Sequence, residues 1–153
     1  MTSRISRICF PVNRSERVLV QEGAGWRLVH EAARQPFCVL VAGEGWAGEL
    51  RAAEAVALID GVRRLVAQRE ALASLLMPEE ALCLELEVDL EPGSLWLELD
   101  GGPRGWSLRF VLSPADGQRG LEGGWPGAAA AAVMAALEPL ALALGAGSAP
   151  GTR

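Results

Sequence analysis

The chain has no lysine and no tyrosine, and only one histidine and three cysteines in 153 residues. Each shortage narrows the function. Without lysine there is no GKS or GKT loop for phosphate, and no GxGxxG element stands between a strand and a helix. Cys9, Cys38 and Cys83 are odd in number and widely scattered. They fit neither a disulfide framework nor a zinc site, so a reducing, cytoplasmic setting is expected. His30 could meet Cys38 across a hairpin, but no nucleophile motif surrounds either residue, and a strand histidine is the plainer reading. No apolar run suits a signal peptide or a membrane span: the stretch from Ala128 to Leu144 is broken by Glu138 and Pro139. The exclusive use of arginine, beside abundant Ala, Gly, Leu and Pro, reflects coding bias rather than an arginine-specific function.

Half of the residues are hydrophobic, which excludes wholesale disorder, and the length suits one domain with a substantial core. Net charge is −5, unevenly spread. Residues 1–17 carry four Arg and one Glu, a balance of +3, and read as a flexible basic leader. Residues 18–152 carry nine Arg against eighteen acids, a balance of −9, which opposes non-specific phosphate binding. The expected organisation is a single domain over 18–140 followed by a flexible tail over 141–153.

Four of the five tryptophans directly follow glycine: Trp26, Trp46, Trp106 and Trp125. Each pair stands where a turn hands over to a strand-like run, so the chain is built of hairpins with aromatic anchors. Strands are predicted from Val18, over Trp26 to Glu31, Phe37 to Ala42 and Trp46 to Leu50. A long helix follows over Ala52 to Leu76, with Leu58, Ile59, Val62, Leu65, Val66, Leu72, Leu75 and Leu76 on one stripe. The residues from Leu82 to Leu90 then alternate strictly between apolar and polar, the pattern of a half-buried strand. Two further alternating runs centre on Leu97 and Leu108. A short strand over Arg119 to Gly123 follows an Asp116-Gly117 turn, and Trp125-Pro126 opens an alanine-rich helix over Gly127 to Leu137. The order ββββα-ββββα predicts an α+β fold of two four-stranded antiparallel sheets with one long central helix.

The segments Gly23 to Arg27, Gly45 to Leu50, Leu84 to Gly101, Trp106 to Leu112 and Arg119 to Pro126 resemble a small cyanobacterial family of domains of unknown function. The resemblance runs from about Val18 to Leu140. Members of that family look like the Whirly type of single-stranded-DNA-binding transcriptional regulators in fold, which implies two sheets packed roughly crosswise and braced by helices. Resemblance in fold does not confer DNA binding. Whirly proteins carry a lysine-containing KGKAAL-like motif, and this chain has no lysine to match it.

The outward face of the second set of strands gathers Glu85, Glu87, Asp89, Glu98 and Glu122, with Arg109 and Trp96 among them. It is expected either to be a plain solvated sheet face or to dock a basic protein segment, with Trp96 as anchor and Arg109 as a specificity contact. The same carboxylates lack the spacing of a calcium loop, and no paired acid and base is placed in a cleft. The expectation is a non-enzymatic protein-binding or adaptor domain without cofactor, metal or membrane association. Single-stranded nucleic-acid binding is the alternative, and the acidic body weighs against it.

Overall fold

A computed structural model describes residues 18–115 and 118–145. The basic leader, the Asp116-Gly117 turn and the tail beyond residue 145 lie outside the described residues. The element order is β1 (Val18–Gly23), β2 (Trp26–Glu31), β3 (Val39–Gly43), β4 (Trp46–Leu50), α1 (Ala52–Ala73), β5 (Leu82–Asp89), β6 (Ser94–Gly102), β7 (Gly105–Ser113), β8 (Leu121–Trp125) and α2 (Gly127–Ala143). The first four strands form one antiparallel sheet in sequence order, and the last four form the second in the same way. The expected α+β class and the order ββββα-ββββα are what the structure has.

Several boundaries differ from the sequence reading. β3 starts at Val39 rather than Phe37, because Phe37 turns away from the ladder and lies beneath the guanidinium groups of Arg119 and Arg51, 4.3 and 5.4 Å from its ring centre. α1 ends at Ala73, and Leu75 beyond it is exposed. β8 runs two residues further than predicted, to Trp125, which pairs with Leu108 and belongs to the sheet rather than to the helix entry. α2 continues through Pro139 to Ala143. Proline there removes one helical hydrogen bond, but Leu140 and Ala141 are fully buried and hold the last turns against the core. The expected tail from residue 141 therefore begins too early.

The Gly-Trp pairs act as predicted in the first sheet. In the turns before Trp26 and Trp46, Gly25 and Gly45 both have φ 78°, a region in which a side chain would be strained. One inner row of that sheet reads Gly23, Trp26, Gly43, Trp46 from strand to strand. Each indole lies over the glycine three residues before it, in the space a Cβ would fill. Trp46 also reaches the second sheet. Its ring lies 5.7 Å from Phe110 and 5.2 Å from Trp125, centre to centre. Its Nε1 donates to the Gly124 carbonyl at 3.3 Å, while Trp125 Nε1 donates back to the Ala42 carbonyl at 2.8 Å. The two sheets are thus joined by reciprocal indole hydrogen bonds across an aromatic cluster. Trp106 plays a smaller part: it is half-buried, and Arg69 sits 5.5 Å over its ring.

α1 packs on β5 and β6, and α2 on β1, β2 and β7, so both helices cover inner faces and share one core. Arg51 caps α1. Where a Ser or Thr would accept from the first turn, Glu54 instead reaches back and accepts the Arg51 backbone N–H at 2.8 Å. Among the described residues, two polar side chains, Gln21 and His30, enter the core. Gln21 donates to the Ala136 carbonyl at 2.9 Å, fastening the first sheet to α2. His30 is buried on β2 opposite Val39, and its burial pushes its pKa below the ordinary 6.5.

Two outcomes follow from this packing. Trp125→Phe removes a buried donor and part of the aromatic cluster and should lower stability by about 2–4 kcal/mol, against about 1 kcal/mol or less for Trp106→Phe. Urea midpoints at unchanged m-value measure both. For His30 the unfolded chain binds a proton near pH 6.5 while the folded chain resists it. Stability is therefore full above that pH and falls as pH drops below it, and His30→Leu should flatten unfolding curves between about pH 6.5 and 5.

Candidate functional site

The second sheet buries one face and exposes the other. Along β5, Leu82, Leu84, Leu86 and Val88 alternate with exposed Cys83, Glu85, Glu87 and Asp89. The hairpin registers then decide which outward residues meet. Glu85, Glu98, Arg109 and Gly124 form one row across the four strands, and Glu87, Trp96, Val111 and Glu122 form the next. All six residues singled out from the sequence (Trp96, Arg109, Glu85, Glu87, Glu98 and Glu122) lie on this single face.

Arg109 is the hub of the face. Its guanidinium approaches Glu98 Oε1 at 3.5 Å and Glu122 Oε1 at 3.4 Å, and it stands 5.6 Å over the Trp96 ring. Gly124 makes room beside it, since a Cβ there would come within 2.8 Å of Arg109 Cγ. The Arg109 side chain is 52% exposed, so each pair contributes at most about 1 kcal/mol, and the stacking on Trp96 a similar amount. Trp96 itself is half-buried under that guanidinium. A shallow depression of about 350 Å³ opens beside Arg109 and Glu122, floored by Gly123 and Gly124. The face offers carboxylates to a cation, one half-exposed guanidinium to an anion and one aromatic plane to an apolar group.

Cys83 belongs to this face and was not among the residues singled out. Its Sγ donates to Glu98 Oε2 at 3.5 Å. Strict alternation places it outward, but only the register, which sets Cys83 opposite Asp100 and beside Glu98, makes its surroundings acidic. Partial desolvation and then the nearby Glu98, Asp100 and Glu85 carboxylates hold its thiol pKa above the ordinary value. The ligating atoms of Cys83, Glu85 and Glu98 lie within 4.8 Å of one another. A thiol with two carboxylates is a donor set for zinc, but metal binding needs the thiolate, which these carboxylates disfavour. The set also competes with Arg109 for Glu98. His30 on β2 and Cys38 just before β3 are buried away from this face, and no side-chain hydrogen bond joins them among the described residues.

The thiol gives a direct check on these electrostatics. Glu98→Gln removes the accepting carboxylate and its charge, so Cys83 alkylation by iodoacetamide at pH 7.5 should accelerate several-fold, because the thiolate is the reacting species. An unchanged rate would mean that Glu98 does not govern the thiol.

Among the described residues, no helix is long and apolar enough to cross a membrane. No curated protein matches the chain. A solved structure does: a protein of unknown function from Prochlorococcus sp. NATL2A, described as of the DUF155 family, is 36% identical to the chain. The match covers 79% of this chain and 97% of that one, with a TM-score of 0.72. The family model that matches, over residues 21–140, is DUF1818, a domain of unknown function. With more than three-quarters of its length inside that match, this chain belongs to the DUF1818 family.

Proposed function

We propose that this protein is a non-enzymatic binding domain that docks a basic segment of another protein on the outward face of its second sheet. The observation that carries this reading is the position of Trp96. It stands in the polar register between Glu87 and Val111, one row from Glu98 and Arg109. A large aromatic side chain half-exposed on a charged face is the usual anchor of an interface. Arg109 covers it through weak, solvent-exposed contacts. A partner bringing its own cations to Glu98 and Glu122 would release Arg109 and uncover the indole. Arg109 would then serve as the specificity contact, and Glu85, Glu87, Glu98 and Glu122 as the electrostatic frame.

The reading extends to a Whirly-like arrangement of the two sheets, a cyanobacterial origin and a reducing cytoplasmic setting. An exposed Cys83 and a buried Cys38, not bonded to each other, fit such a compartment. It assigns no residue a catalytic role and calls for no cofactor.

A pull-down from lysate comparing the wild type with Trp96→Ala/Arg109→Glu tests the surface. At least one recovered partner should be lost from the double variant. If every partner persists, the face is wrong. Labelled single-stranded oligonucleotides titrated at low salt should show no salt-dependent binding at micromolar protein, whereas such binding would favour a nucleic-acid ligand over a protein one.

A further inference from the structure

We propose that the free edge of β5 accepts an extended segment of a partner protein, alternating basic and apolar residues, which adds a fifth strand to the second sheet, antiparallel to β5 like every other pair in it. This deepens the protein-binding reading and rests on it, but it uses the backbone of β5 rather than the indole of Trp96.

β5 is an outer strand of its sheet. The other outer strand, β8, packs against β3 and β4 of the first sheet, whereas β5 packs on β6 and α1. The direction of its free backbone groups follows from the hairpin. Leu90 N–H donates to the Gly93 carbonyl at 3.0 Å, which makes Leu90 and Gly93 a hydrogen-bonded pair. Such pairs recur at every second residue of an antiparallel ladder. Val88, Leu86, Leu84 and Leu82 therefore turn their N–H and C=O groups toward β6. Cys83, Glu85, Glu87 and Asp89 turn theirs to the open edge, and among the described residues no backbone hydrogen bond takes them up. The open ladder is eight residues long, or about 27 Å, enough for a typical strand.

The side chains on this edge specify what can pair with it. The residues with free backbone groups are also the ones that point outward, so an added strand sets its own side chains directly opposite Glu85, Glu87 and Asp89. Unlike Glu98 and Glu122, those three carboxylates have no ion-pair partner among the described residues. Basic side chains complement them. A second copy of β5 would set carboxylates against carboxylates, an arrangement that repels. On the inner side, Leu84, Leu86 and Val88 are only half-buried, while Leu95, Leu97 and Leu99 on β6 are exposed by 2% or less. A groove of about 650 Å³ runs between α1 and the end of β5, lined by apolar Val56, Ala57, Val88 and Leu90 together with charged Asp60, Arg63, Arg64 and Asp89. The alternate residues of an added strand would extend the inner face beside this groove and are therefore apolar. Backbone pairing supplies affinity, and the two kinds of side chain supply selection.

The test uses the full chain and a fluorescein-labelled nine-residue synthetic peptide alternating arginine and valine, followed by anisotropy. Saturable binding is expected, weakened at least about tenfold by Glu85→Arg/Glu87→Arg, since like charges across an interface oppose association strongly. N-methylation of the arginine amides, which would face β5, should abolish binding, whereas N-methylation of the valine amides, which would face solvent, should leave it within about twofold. A peptide alternating glutamate and valine should not bind. Equal binding by both N-methylated peptides, or by the glutamate peptide, would overturn strand addition, as would absence of saturable binding. Dimerisation of the chain that the arginine peptide reverses would give the edge to a second copy and also overturn the proposal. Trp96→Ala/Arg109→Glu separates the two readings. Peptide binding that depends on this pair but ignores N-methylation keeps the Trp96 face and discards the edge. Phase-dependent binding that survives the double change keeps the edge and discards Trp96.

Discussion

The two indole hydrogen bonds between the sheets are the constraint on which the remaining structure depends. Each sheet is a meander of local hairpins and could form its ladder without the other. Beyond the shared core and α2, which packs on both sheets, the directional contacts that fix how they meet are Trp46 reaching the Gly124 carbonyl and Trp125 reaching the Ala42 carbonyl, around the Phe110 ring. A buried indole N–H without an acceptor is costly, and so is a buried carbonyl without a donor. The exchange satisfies both and leaves little freedom in how the sheets meet. It also needs glycine beneath the rings: a Cβ on Gly123 would lie 2.6 Å from the Trp46 ring. The second sheet is thereby anchored at β8, while β5, three strands away, packs chiefly on β6 and α1 among the described residues.

The distribution of charge follows from the same geometry. Pinning the second sheet by its inner face commits the other face to solvent, and alternation fills it with carboxylates. Arg109, its central cation, is shared among Glu98, Glu122 and the Trp96 ring. Elsewhere arginines are used as structural ties. Arg63 makes a two-bond contact with Glu138 at 2.9 and 2.8 Å between the helices, which holds the Glu138 carboxyl below its usual pKa. Arg119 pairs with Glu54 at 3.3 Å while lying over Phe37. With lysine absent, every one of these contacts uses a planar fork that can stack and pair at once.

Much of the fold was legible because it is local. Strict alternation from Leu82 to Leu90 gave β5 and both of its faces, and the Gly-Trp turns gave the hairpins. The stripe from Leu58 to Leu65 gave the buried side of α1. The misses share a different cause. Phe37 left its predicted strand for two arginines, one of them more than eighty residues away in sequence. Trp125 reads as a helix entry in the sequence because its partner Leu108 is set by register, which no nearby residue announces. Pro139 signals a stop, and only tertiary burial of Leu140 and Ala141 overrides it. The outward face was legible as a set of residues, but not its centre: that Arg109 falls between Glu98 and Glu122, and that Cys83 lies beside Glu98, depends on hairpin lengths summed across four strands.

The reciprocal indole bonds span 78 and 83 residues of chain, while strand pairing within each sheet joins neighbouring segments. Closing so long a loop costs more entropy than closing a hairpin, and it is rewarded only after both ladders exist. This ordering favours a folding transition state in which the hairpins are largely formed and the sheets are not yet docked. Interactions made after the barrier leave the folding rate almost untouched and set the rate of escape from the native state. On that ordering the tryptophan exchange would act as a kinetic latch, setting how long the folded domain lasts rather than how fast it forms.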